Sequence, residues 1–289
     1  LALIDSGDRV VCIDPVWPNL GESFKIAGGQ IDPTTLVARD GRWHLDMEQL
    51  LAKLTDKTKA LLINSPNNPT GWVCSAEEQK IILDHCRKQG IWIVADDVYA
   101  RLYQHGSLAP GFQHLANADD LLISINSFSK AWSMTGWRLG WITAPANLEK
   151  TFAHLTEFNI ACPAGFIQEA GLAMIEQGEA EVSLLQHRLR RALTLTRTRL
   201  KHFEDISFIE PDGAFYCFFS IRGLTDSLAF AHALLDQTKV GLAPGLAFGP
   251  AGEGYLRLCY AQDEQILNKA FDRLDKGFNA VRRSLIEDK

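Results

Sequence analysis

The stretch SINSFSKAWSMTGWRLG, residues 124–140, decides how this chain is read. The apolar run 121–125 that leads into it has the length of a buried strand and ends in small polar residues. Those residues deliver Lys130 to the strand's carboxyl end, where open α/β sheets hold their ligands. Arg138 follows eight residues later, past a Thr135-Gly136 break able to turn the chain back toward the lysine. A lysine among hydroxyls with an arginine at hand suits an imine with a carbonyl compound or a clamp on a phosphate. The plain alternative is a strand, a turn and a surface lysine.

Outward from this stretch the chain keeps a strand–helix–strand rhythm. Apolar runs predict strands at 10–14, 59–64, 91–95 and 121–125, with one more within 137–143. Helical spacing falls at 21–27, at 45–54 with Asp46 as cap, and at 76–89, where Ser75 precedes Glu77 and Glu78. The rhythm predicts an α/β fold, a mostly parallel sheet with helices on both faces. After Pro145 the pattern changes. Helices are expected at 147–158, along much of 163–203, at 227–238 and at 262–285. A hairpin is expected from 207–210 and 214–221, and short strands at 240–243 and 256–260. Residues 1–178 read as a large domain and 179–289 as a smaller α+β domain, joined by the long helix.

Composition narrows the function. The 289 residues are 46% hydrophobic and 22% charged, enough for a real core. A net charge of −6 gives no basic footprint for nucleic acid or an anionic membrane, and no apolar run matches a membrane span. The six cysteines (Cys12, Cys74, Cys86, Cys162, Cys217, Cys259) are scattered without metal-ligand spacing, so a reduced, cytoplasmic protein without a metal is expected. The chain opens on Leu1, in a segment that reads as the end of a helix and a turn.

Several residues carry chemistry at strand ends. Asn68 lies in SPNNPTG, residues 65–71, where two prolines either hold its amide for a ligand or make a plain turn. Asp96 and Asp97 follow the strand 91–95; Asp97 is read as pointing to solvent and Asp96 inward, with Tyr99 a helical turn further. Trp17, between Pro15 and Pro18, either covers a flat ring or packs under a loop. Arg257, inside the apolar strand LRLCY, either sits on a wet face or points into a cleft to bind a carboxylate. The arginines at 188, 190, 191, 197 and 199 read as a solvated helix face. The glycine-rich 244–254 lacks the Gly-Lys-Ser/Thr of a phosphate loop and is expected to be a flexible loop bordering a cleft.

In a parallel sheet, three consecutive strands would bring Asn68, Asp96 and Lys130 to one edge. A pyridoxal phosphate site requires this set: a lysine for the imine and a carboxylate that keeps the ring nitrogen protonated. It also uses a tyrosine and an asparagine on the ring oxygen, with serines and an arginine on the phosphate.

On these residues the chain resembles the fold type I pyridoxal phosphate-dependent aminotransferases, the class I/II family that includes aspartate, aromatic and kynurenine aminotransferases. The motifs are Asn64-Ser-Pro-Asn-Asn-Pro-Thr-Gly71, Ala95-Asp-Asp-Val-Tyr99, Ser127-Phe-Ser-Lys130 with Met134-Thr-Gly-Trp-Arg138, and Tyr255-Leu-Arg-Leu258. The resemblance implies Lys130 as Schiff-base lysine and general base, Asp96 as partner of the ring nitrogen, and Tyr99 and Asn68 on the 3′ oxygen. It implies Ser127, Arg138 and Ser129 as phosphate ligands and Trp17 as the stacking ring. Arg257, aided by Asn68, would grip the substrate α-carboxylate. The activity implied is two-stage amino transfer between an α-amino acid and a 2-oxo acid, in a homodimer. Members also carry, ahead of the matching region, an N-terminal arm, a phosphate-binding loop at a helix N-terminus and an aromatic residue lent to the partner subunit. A sequence lacking that segment is therefore expected. The same resemblance leaves room for a β-lyase, or for the ligand-sensing domain of a transcription regulator.

Overall fold

The computed structural model describes residues 1–287. The first part runs β1 (Arg9–Asp14), α1 (Pro18–Ile26), β2 (Gln30–Thr35), β3 (Val37–Arg39), β4 (Arg42–His44), α2 (Met47–Lys53) and β5 (Thr58–Asn64). It continues with α3 (Ala76–Gln89), β6 (Trp92–Asp96), β7 (Leu122–Ser127) and β8 (Gly140–Thr143). In β1, Val11 and Ile13 enter one core and Val10 and Cys12 another; β5 divides Leu61 and Ile63 from Ala60 and Leu62 in the same way. A strand apolar on both faces must be covered on both, which is why these runs read as continuously hydrophobic. Helix α3 has the expected bounds because its ends are locally written: Ser75 and Glu78 form a reciprocal capping box and Gly90 closes the helix at φ 68°.

Six of these strands form one sheet in the order β2-β1-β5-β6-β7-β8, parallel except for β8, which returns antiparallel beside β7, while β3 and β4 pair as a separate two-stranded hairpin. The chain moves from β1 out to β2, then crosses back to β5 and runs the other way. The carboxyl ends of β1, β5, β6 and β7 thus share one edge at the switch point, where such sheets place ligands. The strand β2 and the hairpin β3–β4 were not anticipated. β2 is an edge strand, so it tolerates Pro33, and its residues, only one of them buried, carry no apolar alternation.

The second part runs α4 (Glu149–Asn159), α5 (Gly165–Gln177), α6 (Glu179–Leu200), β9 (Ile206–Ser207), β10 (Tyr216–Ile221), α7 (Ser227–Thr238), β11 (Ala243–Pro244), β12 (Tyr255–Cys259) and α8 (Glu264–Arg282). The long helical stretch is divided at Gly178, the cap shared by α5 and α6. An antiparallel sheet, β11-β12-β10-β9, packs against α6, α7 and α8. The arginines of α6 are only partly a solvated face. Arg199 reaches Asp272 and Asp275 of α8, and Arg197 reaches Glu210, so these two pin the helix to its neighbours. The six-stranded and four-stranded sheets share a core: Phe218 of β10 belongs to one cluster with Val11 and Ile13 of β1 and Leu61 and Ile63 of β5, and it also packs against Trp43 of the β3–β4 hairpin and against Phe248. Among the described residues no helix is long and apolar enough to cross a membrane, and no group of His, Cys, Asp or Glu could hold a metal ion.

Candidate active site

Asn64, the last residue of β5, organises the loop that follows. Its Oδ1 accepts the Asn68 backbone N–H at 2.8 Å, and its Nδ2 donates to the Asp96 carbonyl at 3.1 Å. The loop is then docked on the second part of the chain, where the N–H groups of Asp212 and Gly213 both donate to the Gly71 carbonyl at 2.9 Å. Gly71 is required here: its φ is 72°, and a Cβ would overlap Pro211 and stand 2.9 Å from the Gly213 carbonyl oxygen. Asn68 is thereby held 5% exposed, and its Oδ1 accepts from Arg257 Nη1 at 2.9 Å, across 189 residues of sequence.

Arg257 faces the cleft, not water. Its guanidinium lies between two rings, 4.3 Å from the centroid of Tyr216 and 4.8 Å from that of Phe248. Its buried Nε has no hydrogen-bond partner among the described residues. Held against these two rings and tied at Nη1, the group keeps an edge for a planar anion. Phe248 is delivered by the glycine-rich loop, which does border the cleft but is closely packed: a Cβ on Gly245 would overlap the Gly252 carbonyl, and Phe248 is 2% exposed.

Asp96 ends β6, and among the described residues its carboxylate accepts only the Val98 N–H, at 3.2 Å. Burial raises its carboxyl to about 6, with the nearby Asp97 charge adding to the rise and Lys130 opposing it. Asp97 does not point to solvent. It is 6% exposed, its carboxylate takes the Ser124 hydroxyl of β7, and burial raises its pKa. Neighbours on a strand point to opposite faces, so if one carboxylate looks into the cleft the next must enter the protein. Tyr99 is buried, and its hydroxyl lies 3.0 Å from that of Tyr216.

Lys130 stands in the turn after β7. Its Nζ is 5.8 Å from the ring centroids of both Tyr99 and Phe215 and makes no hydrogen bond among the described residues. Burial holds the amine below its ordinary pKa; Arg138 and Arg257 act the same way, Cys259 and Asp96 against it. In the same turn the Ser127 hydroxyl accepts the Ser129 N–H at 3.0 Å, and the Ser129 side chain is 9% exposed. Arg138 is exposed, with φ 54° and Nη1 on the Thr135 carbonyl at 2.9 Å. Trp17, at the start of α1, is 39% exposed and tilted against Phe248 with ring centroids 6.4 Å apart. The structure thus pairs Asn68 with Arg257 and Tyr99 with Lys130 and joins the two pairs through Tyr216, with Asp96 coupled to Lys130 by charge and Trp17 joined through Phe248. It leaves Ser127, Ser129 and Arg138 on the turn beside the lysine. Tyr216, Phe215, Phe248 and Asn64 were not singled out as site residues; only tertiary contact reveals the first three, whereas Asn64 stands in a motif already noticed.

The donor set suits an aromatic cofactor with a cationic ring nitrogen, an aldehyde and a phosphate. Among the described residues the Asp96 carboxylate meets no cation at hydrogen-bond distance, Lys130 meets no acceptor, and Arg257 pairs with no carboxylate. Comparison with known proteins agrees. The sequence profile of the family Aminotransferase class I and II matches residues 1–274. The aspartate aminotransferase of Pyrococcus horikoshii is 34% identical over 288 residues, covering 97% of this chain and 72% of its own. The probable aspartate/prephenate aminotransferase of Aquifex aeolicus is 30% identical with the same coverage. Among solved structures, the aromatic aminotransferase of Pyrococcus horikoshii superposes with TM-score 0.90 at 31% identity, covering 99% of this chain and 76% of that one. The aspartate aminotransferase of Thermotoga maritima gives TM-score 0.84 at 31% identity, over 96% of this chain and 72% of that one. With profile, sequence relatives and fold in agreement, this chain belongs to the class I and II aminotransferases.

Proposed function

We propose that the protein transfers an amino group from an α-amino acid to a 2-oxo acid with pyridoxal phosphate, using Lys130 as the residue that links the cofactor and moves the proton. The carrying observation is the Asn68–Arg257 pair set beside the unpartnered Lys130. When bound, the cofactor supplies the aldehyde carbon that takes up the amino group and a protonated ring that accepts the electron pair left on the substrate. Arg257 receives the substrate α-carboxylate on its free edge, with Asn68 fixing the guanidinium, and this points the α-hydrogen toward Lys130. Burial and the charges of Arg138 and Arg257 keep the Lys130 amine neutral for more of the time, so Nζ can accept that proton and return it elsewhere. Asp96, ionised once a cation neutralises its buried site, holds the ring nitrogen protonated. Tyr99 and Asn68 serve the ring oxygen, Trp17 covers the ring, and Ser127, Ser129 and Arg138 take the phosphate.

We further assign residues 1–178 to a cofactor-binding unit and 179–289 to a smaller unit, and the protein to a cytoplasmic homodimer. The exposed Phe158 (83%), Phe166 (72%) and Ile160 (66%) suit burial by a second copy. No feature of the site favours elimination or ligand sensing over transfer. Purified protein should gain a visible absorption band with pyridoxal phosphate, move it on adding an amino acid, and lose it in Lys130→Ala. A wild-type protein with no band would sink the proposal.

A further inference from the structure

Tyr216 touches both halves of this site. Its hydroxyl makes one hydrogen bond among the described residues, to Tyr99 at 3.0 Å, and its ring carries the Arg257 guanidinium at 4.3 Å. It reaches this position because β10 and β12 pair antiparallel, with Tyr216 opposite Cys259 and Arg257 two pairs further on, opposite Phe218, so that Tyr216 and Arg257 share a face of the sheet. Burial pushes both phenols above their ordinary pKa, so each oxygen keeps its hydrogen. Two hydroxyls then hold two hydrogens, and their mutual bond uses one. If Tyr99 donates, the Tyr216 hydrogen has no acceptor among the described residues. If Tyr216 donates, the Tyr99 hydrogen is free for an acceptor in the cleft, and a hydroxyl that accepts a hydrogen bond is itself a stronger donor.

We propose that Tyr216 is a positioning residue with two separable duties: its hydroxyl donates to Tyr99 and so strengthens the hydrogen bond Tyr99 gives the cofactor's ring oxygen, while its ring holds the Arg257 fork flat for the substrate carboxylate. This rests on the reading of the site given above. The two duties belong to different atoms, so two substitutions divide them. Tyr216→Phe removes the hydroxyl and keeps the ring. Tyr99 then loses its donor, its bond to an anionic ring oxygen weakens, and the protonated form of the lysine-linked cofactor gains. Tyr216→Leu removes both hydroxyl and ring.

The test follows the absorption band of the wild-type protein and the two variants with pyridoxal phosphate across pH, together with kcat and KM for one amino donor. In Tyr216→Phe the midpoint of the band's pH titration should rise by about half a pH unit, with KM unchanged within about twofold. In Tyr216→Leu the midpoint should rise similarly and KM should increase about tenfold, the size of a lost, partly desolvated cation–π contact. A Tyr216→Phe midpoint equal to that of the wild type would overturn the first duty. Equal KM values in the two variants would overturn the second. A wild-type protein that forms no band would overturn the cofactor reading beneath both, and is distinguished by failing before any variant is compared.

Discussion

Asp96 shows how a single residue links stability to chemistry. Its carboxyl titrates near 6 in the folded chain against 3.8 for an unperturbed group, a difference of about 3 kcal/mol. A raised carboxyl pKa favours the folded state while the group is protonated. That contribution is whole below pH ~4 and is lost as pH rises through about 6. Cofactor-free Asp96→Asn protein should therefore match the wild type in urea unfolding near pH 3.5. It should be the more stable of the two at pH 7, by up to about 3 kcal/mol. Added pyridoxal phosphate should raise the stability of the wild type far more than that of the variant, because only the carboxylate meets a cationic ring nitrogen. A wild type that is equally or more stable than cofactor-free Asp96→Asn at pH 7 would show that Asp96 is not a buried, unpaired charge. Asp97, its neighbour, was misjudged because sequence shows the carboxylate but not Ser124, which meets it 27 residues away.

At the scale of elements, the loop after β5 and the helix after it make an instructive contrast. Both are written in short polar motifs, yet one is closed locally and the other by contact with residues 211–213. Ser75→Ala removes the cap of α3 and should cost roughly 1 kcal/mol of stability while leaving transamination kinetics unchanged. Gly71→Ala forces a Cβ onto Pro211 at a left-handed φ and should cost roughly 2–4 kcal/mol. It should also raise KM for the amino donor, since the loop that shifts is the one that carries Asn68 to Arg257. Thermal unfolding and steady-state kinetics of the two variants decide the matter; equal KM values would mean that loop placement does not set carboxylate binding. The hairpin β3–β4 escaped notice for a related reason. Its single buried anchor, Trp43, meets the rings of Phe218 and Tyr255, which belong to the other end of the chain.

Across the whole molecule the two sheets are joined by more than a linker. Phe218 packs against Trp43 and Phe248, Asp212 pairs with Arg42 and with His105 at 2.7 Å, and Gly71 accepts two backbone bonds from the hairpin turn. Apolar contact that continues between units makes them unfold together. Scanning calorimetry should show one transition whose calorimetric and van't Hoff enthalpies agree, despite the change of pattern after Pro145. Two resolved transitions would mean that the shared core contributes little.

The sequence by itself determined β1, β5, β6, β7, α3 and the order in which Asn68, Asp96, Tyr99 and Lys130 meet the sheet edge. Such features are set within a turn or two of chain, by the apolar period of buried strands, by caps, and by the tendency of parallel strands to end together. Tertiary structure alone decided which way Arg257 faces, that Asp97 is interior, and that Tyr216 and Phe248 enclose the arginine. A strand residue's face depends on which strands it pairs with and what lies across the cleft. Here those partners stand as far as 189 residues away, beyond the reach of any local pattern.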